Sequence, residues 1–265
     1  MKIKRTVLLF LSCLAVFASC SENKDVQDTG TYSAGSSDAS SSSVTEPDVS
    51  VSPVTVSVTP AVTEPSPPPA AYKISGVELI WQNPELPTGC EVTSLTMLLN
   101  YLGFDISKTE LAEKYLAKDY FGKVSLNEAF LGDPAWDGGF GCFAPVIADT
   151  ASKYLKDQKS TYKPKVISGT SFRDLFCYIA ADTPVVVWAS MELSDVYRYL
   201  CYTTEKGEDQ YFYDNEHCML LIGYDTEKNT VTAADPLDGI VTYGAERFEC
   251  IYNELEKQAV IIEKA

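Results

Sequence analysis

The sequence predicts an α+β domain of about 190 residues, a size that suits one core. Three observations predict it. The composition turns globular at Tyr72, helix-period apolar spacing dominates up to about residue 182, and strand-like apolar runs dominate afterwards. Helices first and mostly antiparallel strands later is an α+β layout.

Two segments precede that domain. "MKIKR" supplies a positive start and "TVLLFLSCLAVFA" an apolar stretch too short to span a bilayer, so residues 1–19 are expected to be a secretory signal. It closes on Val16-Phe17-Ala18-Ser19-Cys20, which resembles the lipobox of bacterial lipoproteins, with Phe17 where leucine is commoner. The resemblance implies cleavage before Cys20 and a diacylglycerol on its sulfur. Residues 20–71 carry that cysteine and then Ser, Thr, Val, Pro, Ala and acidic residues, with one lysine and almost no large apolar side chains. Such a segment buries too little surface to offset ordering and is expected to be a disordered tether. As a flexible coil it spans roughly 40 Å on average.

Within 72–265, Val92, Leu95, Leu99 and Leu102 recur at helical spacing with Gly103 just beyond, which predicts a helix over 90–102. Ser107 and Glu110 form a capping box for a second helix through Leu116. Residues 117–143 read as irregular, with "GDPAWDGGFG" a glycine-rich loop, and "APVIADTASKYLKD" and "SFRDLFCYIAAD" read as helices. "TPVVVWASM" then reads as a buried strand, and "EHCMLLIGYD" and "NTVTAADPL" as two strands joined by a turn around Thr226–Asn229. "GAERFECIYNELE" suggests a helix and "QAVIIE" a closing strand.

The formal net charge of −16 argues against nucleic acid and against a basic membrane-docking face. Membrane contact is expected through the lipid. No CxxC pair occurs and the chain holds one histidine, so no metal site and no cofactor are expected. Outside the signal and Cys20, six cysteines remain, at 90, 142, 177, 201, 218 and 250. An exported chain can pair them, but Cys177 and Cys218 sit in apolar runs that suggest buried free thiols.

His217 opens an apolar run, at the edge of its strand, and any imidazole chemistry must use it. If the turn centres near Glu227, position 217 faces 237, and Asp235 points to the same face as His217. Asp235 would then accept the imidazole N–H and fix its tautomer. A slip of one residue would separate them, which leaves Asp238 in reserve. A plain turn also explains "DPLDG".

Cys90 begins the first helix, where backbone N–H groups and the helix dipole favour a thiolate. It is open to reading as a small apolar residue, a disulfide partner or a metal ligand. As a nucleophile it would need an imidazole to complete an ion pair, with its own N–H and the Gln82 side-chain amide as oxyanion donors. Tyr211, Phe212 and Tyr213 precede the histidine and either line a cleft or cover the core.

"QNPELPTGCEVTSLTMLLNYLG", "GFGCFAPVIADTASKYL", "TPVVVWASM" and "EHCMLLIGYD…ADPLDG" together resemble the bacteriocin-processing-like (double-glycine-peptidase-like) cysteine peptidases of the papain-like superfamily. The likeness covers nearly all of residues 73–262. It implies a papain-like fold with a nucleophile helix against an antiparallel sheet. By position it implies Cys90 as nucleophile, His217 as general base and acid, Asp235 as its orienter and Gln82 as the oxyanion-hole residue. The best-known members are transporter domains that cut after two glycines inside the cell. This chain shows no transporter segments and is expected outside, so that specificity is not carried over, and "DGG" at 137–139 reads as a turn. The expected partner is a peptide or protein substrate, within reach of the cell wall. Cell-wall amidases with Cys-His-His sites need a second histidine, which is missing. The non-enzymatic alternative is a lipoprotein binding module that keeps the cleft without turnover.

Overall fold

The computed structural model describes residues 68–265. The expected signal, Cys20 and the tether up to residue 67 lie outside the described residues. Strand β1 (Ala71–Lys73) starts one residue before Tyr72. Pro69 and Ala70 already engage the domain, their carbonyls accepting hydrogen bonds from Tyr224 Oη at 2.8 Å and from the Thr226 hydroxyl and N–H, both at 2.8 Å.

Helix α1 (Cys90–Tyr101) is buried from Cys90 through Leu99. A helix buried on all sides is a central one, which explains why its sequence is nearly uncharged. Helix α2 (Lys108–Lys114) follows, its Ser107 cap accepting from the Glu110 N–H as the capping box predicts. The irregular stretch holds two short strands, β2 (Lys118–Asp119) and β3 (Phe130–Leu131), paired in parallel. Helix α3 (Ala144–Asp157) has the predicted boundaries. Strand β4 (Tyr162–Val166) was not expected. It is an exposed edge carrying two lysines and a proline, the residues that disguise a strand in sequence.

The next predicted helix is split into a 3-10 turn (Phe172–Asp174) and α4 (Leu175–Ala180). Strand β5 (Val185–Ser190) is buried at every position, so both faces of the sheet are covered there. An unpredicted hairpin, β6 (Arg198–Thr203) and β7 (Asp209–Tyr213), stands apart as its own two-stranded sheet. Strand β8 (Glu216–Asp225), strand β9 (Thr230–Asp235), the unpredicted β10 (Gly239–Gly244), helix α5 (Ala245–Glu254) and strand β11 (Ala259–Lys264) complete the chain.

The main sheet is antiparallel, ordered β10-β9-β8-β5-β11-β4, with β1 added to β8. Strand β5 pairs residues 216–221 of β8, and β1 takes over the same side at 223–225. Helix α1 is fixed to the sheet where Ser94 Oγ donates to the Cys218 carbonyl at 3.1 Å. A second packing group is aromatic: Phe172 stacks on Phe248 and Phe176 on Tyr224. The expected α+β layout, a helix starting at Cys90 against an antiparallel sheet, is the one observed.

All six cysteines in the described residues are free thiols. Cys218 is buried as expected, but Cys177 is exposed. It occupies the outward side of α4, where helical period overrides the apolar look of "DLFCYIAA".

Candidate active site

The segment ahead of α1 is shaped by its prolines and by Gly89. A Cβ at Gly89 would lie 2.7 Å from Leu86 Cβ and 3.2 Å from Pro134 Cβ, so a side chain there would push the loop off the helix start. No side chain caps α1. Its first amides, Cys90 among them, are therefore available at the site.

Gln82 is nearly fully buried and held from several directions. Its N–H donates to the Pro236 carbonyl at 3.0 Å, and its side-chain Nε2 donates to the Pro87 carbonyl at 2.7 Å. Lys108 Nζ donates to the carbonyls of Trp81 and Gln82 and pairs with Glu85 at 2.7 Å. One Gln82 amide hydrogen is thus bonded to Pro87, the second makes no bond within the described residues, and Oε1 has no partner.

His217 and Asp235 meet across β8 and β9. Nε2 of His217 lies 2.7 Å from Asp235 Oδ1. The register that allows this depends on a β-bulge. Beyond the bulge Asp225 pairs Thr230 and Gly223 pairs Thr232, whereas before it Leu221 pairs Ala233 and Leu220 pairs Ala234. The ladder counted from the turn would set 217 opposite 238 and put Asp235 on the wrong face. The extra residue at Ile222 shifts it by one and restores the juxtaposition.

Asp235 is wholly buried. Burial alone would raise its pKa, but hydrogen bonds outweigh that and hold it below the ordinary carboxylate value. They come from His217, the Leu237 N–H at 2.8 Å and Tyr243 Oη at 2.9 Å. Asp238 contributes only its backbone N–H to Asp235, at 3.3 Å.

Cys90, His217 and Gln82 line one open cleft of about 230 Å³. Phe140, Tyr199 and Phe212 form an aromatic wall, and Thr88 and Leu237 lie along its lining. Phe212 and Tyr213 line the cleft and are also buried. Tyr211 instead packs its ring under the Arg198 guanidinium, 3.7 Å away.

The sulfur itself differs from the expectation of a resting thiolate. Cys90 Sγ donates to Glu91 Oε2 at 3.4 Å, and burial followed by the charges of Glu91 and Glu216 pushes its pKa well above that of an ordinary thiol. The helix terminus is outweighed, since an exposed dipole contributes only about 0.3–1 kcal/mol. Glu91 was not anticipated from the sequence. An acidic residue in the first turn of a helix reads as solvated and dipole-favoured; its only distinguishing mark is that it is the single charge between Cys90 and Leu102.

Comparisons with known proteins bear on the family and the fold. The Peptidase_C39 like family matches residues 74–260. The Bacillus subtilis (strain 168) protein YvpB, itself uncharacterized, is 30% identical over 187 residues, covering 68% of this chain and 71% of YvpB. A crystal structure of a C39-like protein from Bacillus anthracis is 31% identical with a TM-score of 0.64, covering 74% of this chain and 98% of that one.

Proposed function

The chain belongs to the Peptidase_C39 like family, and from that premise we propose that it is a thiol hydrolase of peptide or amide bonds. The observation that carries this reading is the convergence of Cys90, His217 and Gln82 on one cleft with Asp235 bonded to the imidazole. His217 takes the thiol proton, and the sulfur of Cys90 attacks the scissile carbonyl carbon. The Cys90 N–H and the free hydrogen of the Gln82 amide stabilise the oxyanion. The imidazolium then protonates the leaving amine, leaving a thioester, which water opens with His217 again as base. Asp235 keeps the imidazole in one tautomer.

The test is hydrolysis of a peptide library and a panel of cell-wall fragments in parallel. Turnover that disappears in Cys90→Ala and His217→Ala supports the reading; turnover that survives in Cys90→Ala overturns it. One observation favours a second reading. The Cys90 sulfur is bonded to the Glu91 carboxyl, which suits a binding module that uses the cleft without turnover. That module would bind the same fragments in wild type and Cys90→Ala alike and cleave none.

The proposal extends to location. A lipid on Cys20 would hold the domain on the outer face of the membrane, with the tether giving it reach into the wall. Cys20→Ser should release protein to the medium or block signal processing. Normal cleavage with unchanged membrane retention would remove the lipid from the account.

A further inference from the structure

Behind the sulfur lies a second group of ionisable side chains that the reaction above does not use. One carboxyl oxygen of Glu91, one of Glu216 and the Cys90 sulfur all lie within 4.8 Å of one another. Glu91 is wholly buried, one oxygen accepting the Cys142 N–H at 2.8 Å and the other the Cys90 thiol. Glu216 is partly exposed as a residue, but its Oε1 is shielded and has no hydrogen-bond partner. The backbone leaves room for both carboxyls at Gly141. A Cβ there would sit 2.8 Å from Glu91 Oε1 and 3.3 Å from Glu216 Oε2, and its φ of +147° is itself unfavourable for a side chain.

Two carboxylates this close in a water-poor setting do not both ionise at neutral pH. We propose that Glu91 and Glu216 hold one proton between them, and that this proton decides whether Cys90 presents a thiolate or a thiol. The inference rests on the hydrolase reading of the same cleft and assigns both glutamates as positioning residues. With the proton on the pair, the thiol proton passes to His217, and the Glu91 carboxyl donates to the sulfur and supports its negative charge. With the pair's proton lost to solvent, both carboxylates face the sulfur, the thiol proton returns from His217, and the thiol is retained with Glu91 accepting its S–H.

Helix α1 contributes the ionisable neighbours Cys90 and Glu91, the Gly141–Phe143 segment contributes Cys142, β8 contributes Glu216, His217 and Cys218, and β9 contributes Asp235. Burial pushes Glu91 up to about 7, against hydrogen bonds from its own N–H, the Cys142 N–H and the Cys90 thiol and, least, against His217. Glu216 is raised well above the ordinary value by burial and by Glu91. Cys142 and Cys218 are held as thiols, chiefly by burial. The consequence is an upper pH bound on reactivity that depends on the carboxyl pair.

The test uses the full chain and two isosteric variants. In Glu91→Gln the amide oxygen can keep the Cys142 N–H while the amide nitrogen donates permanently to the sulfur. Glu216→Gln removes one charge at an oxygen that has no partner to lose. Alkylation of Cys90 by iodoacetamide is followed against pH, with mass spectrometry assigning the label. The wild-type rate should lag that of an ordinary thiol above about pH 7, and each variant should react roughly tenfold faster at pH 8, the effect of one unit of thiol pKa. Infrared difference spectra should show a protonated buried carboxyl in the wild type at pH 6 that fades by pH 9 and is missing or diminished in the variants.

Equal alkylation rates at pH 8 in wild type and both variants would overturn the proposal, as would a wild type with no protonated carboxyl at pH 6. The carboxyl band and the alkylation shift do not need turnover. If both appear while no substrate is cleaved, the hydrolase reading fails and the shared proton stands.

Discussion

The two halves of strand β8 have different duties, although one backbone runs through both. Residues 216–219 carry Glu216, His217 and Cys218 and end at the cleft, while residues 220–222 are Leu220, Leu221 and Ile222, buried among β5, β9 and β1. The apolar half is held by packing, in which neighbouring side chains compensate for one another. The polar half shares the β5 ladder, but its polar groups each depend on one partner: His217 on Asp235 and the Cys218 carbonyl on Ser94, while one Glu216 oxygen has none. Function here sits where the strand departs from the pattern that stabilises it.

The comparison breaks most visibly under mutation. His217→Gln, whose amide can still donate to Asp235, is expected to lower turnover by roughly 10²–10⁴-fold while the melting temperature changes far less than in a core truncation, measured by steady-state hydrolysis and calorimetry on one preparation. Leu220→Ala, three residues along, should do the reverse. It should cost about 2–5 kcal/mol of stability in urea titration and leave the turnover of the folded fraction near wild type. Should the leucine variant lose turnover without losing stability, the two halves are not separable in this way.

A smaller effect separates the site's carboxyls by sign. Glu91 has a folded pKa of about 7, above its ordinary 4.5, so the native state binds extra protons between those values. Its contribution is most favourable below pH 4.5 and is lost as pH rises through about 7. Asp235 is lowered, so its contribution is present above the ordinary carboxylate value and is lost as pH falls through the folded one. Glu91→Gln should therefore reduce the fall in melting temperature between pH 5 and pH 8. An unaltered slope would mean that Glu91 titrates normally.

The smallest effect belongs to the far end of β8. A chain beginning at residue 68 should melt like the full chain. One beginning at Tyr72 lacks Pro69 and Ala70, whose carbonyls accept from Tyr224 and Thr226, and should be about 1–2 kcal/mol less stable. Equal melting of the two would show that β1 adds nothing before Tyr72.

How much of this is legible in the sequence follows from the same contrast. Helix α3 and strand β8 are readable to the residue because apolar periodicity and breakers agree at both ends. The juxtaposition of His217 and Asp235 is readable only through an assumed turn centre near Glu227. The turn lies half a residue further on, and the bulge at Ile222, whose sequence signal is only the glycine that follows it in the strand, brings the register back. Strands β6 and β7 form an exposed hairpin whose aromatic residues face the cleft as well as the core, so no clean alternation marks them. Glu91 and Glu216 were illegible for a different reason: sequence reports charge, not whether water reaches it. The same holds for Cys90, where position at a helix start favours a thiolate and burial beside carboxyls pushes the pKa the other way.

The docking of β1 on β8 has a mechanical meaning. Any pull on the chain ahead of residue 68 enters the fold at Pro69 and Ala70 and is transmitted to Tyr224 and Thr226 at the end of β8. The strand that receives that load is the strand that carries the imidazole. If the domain is tethered to a surface, tension and chemistry share one beam, with the bulge at Ile222 between them.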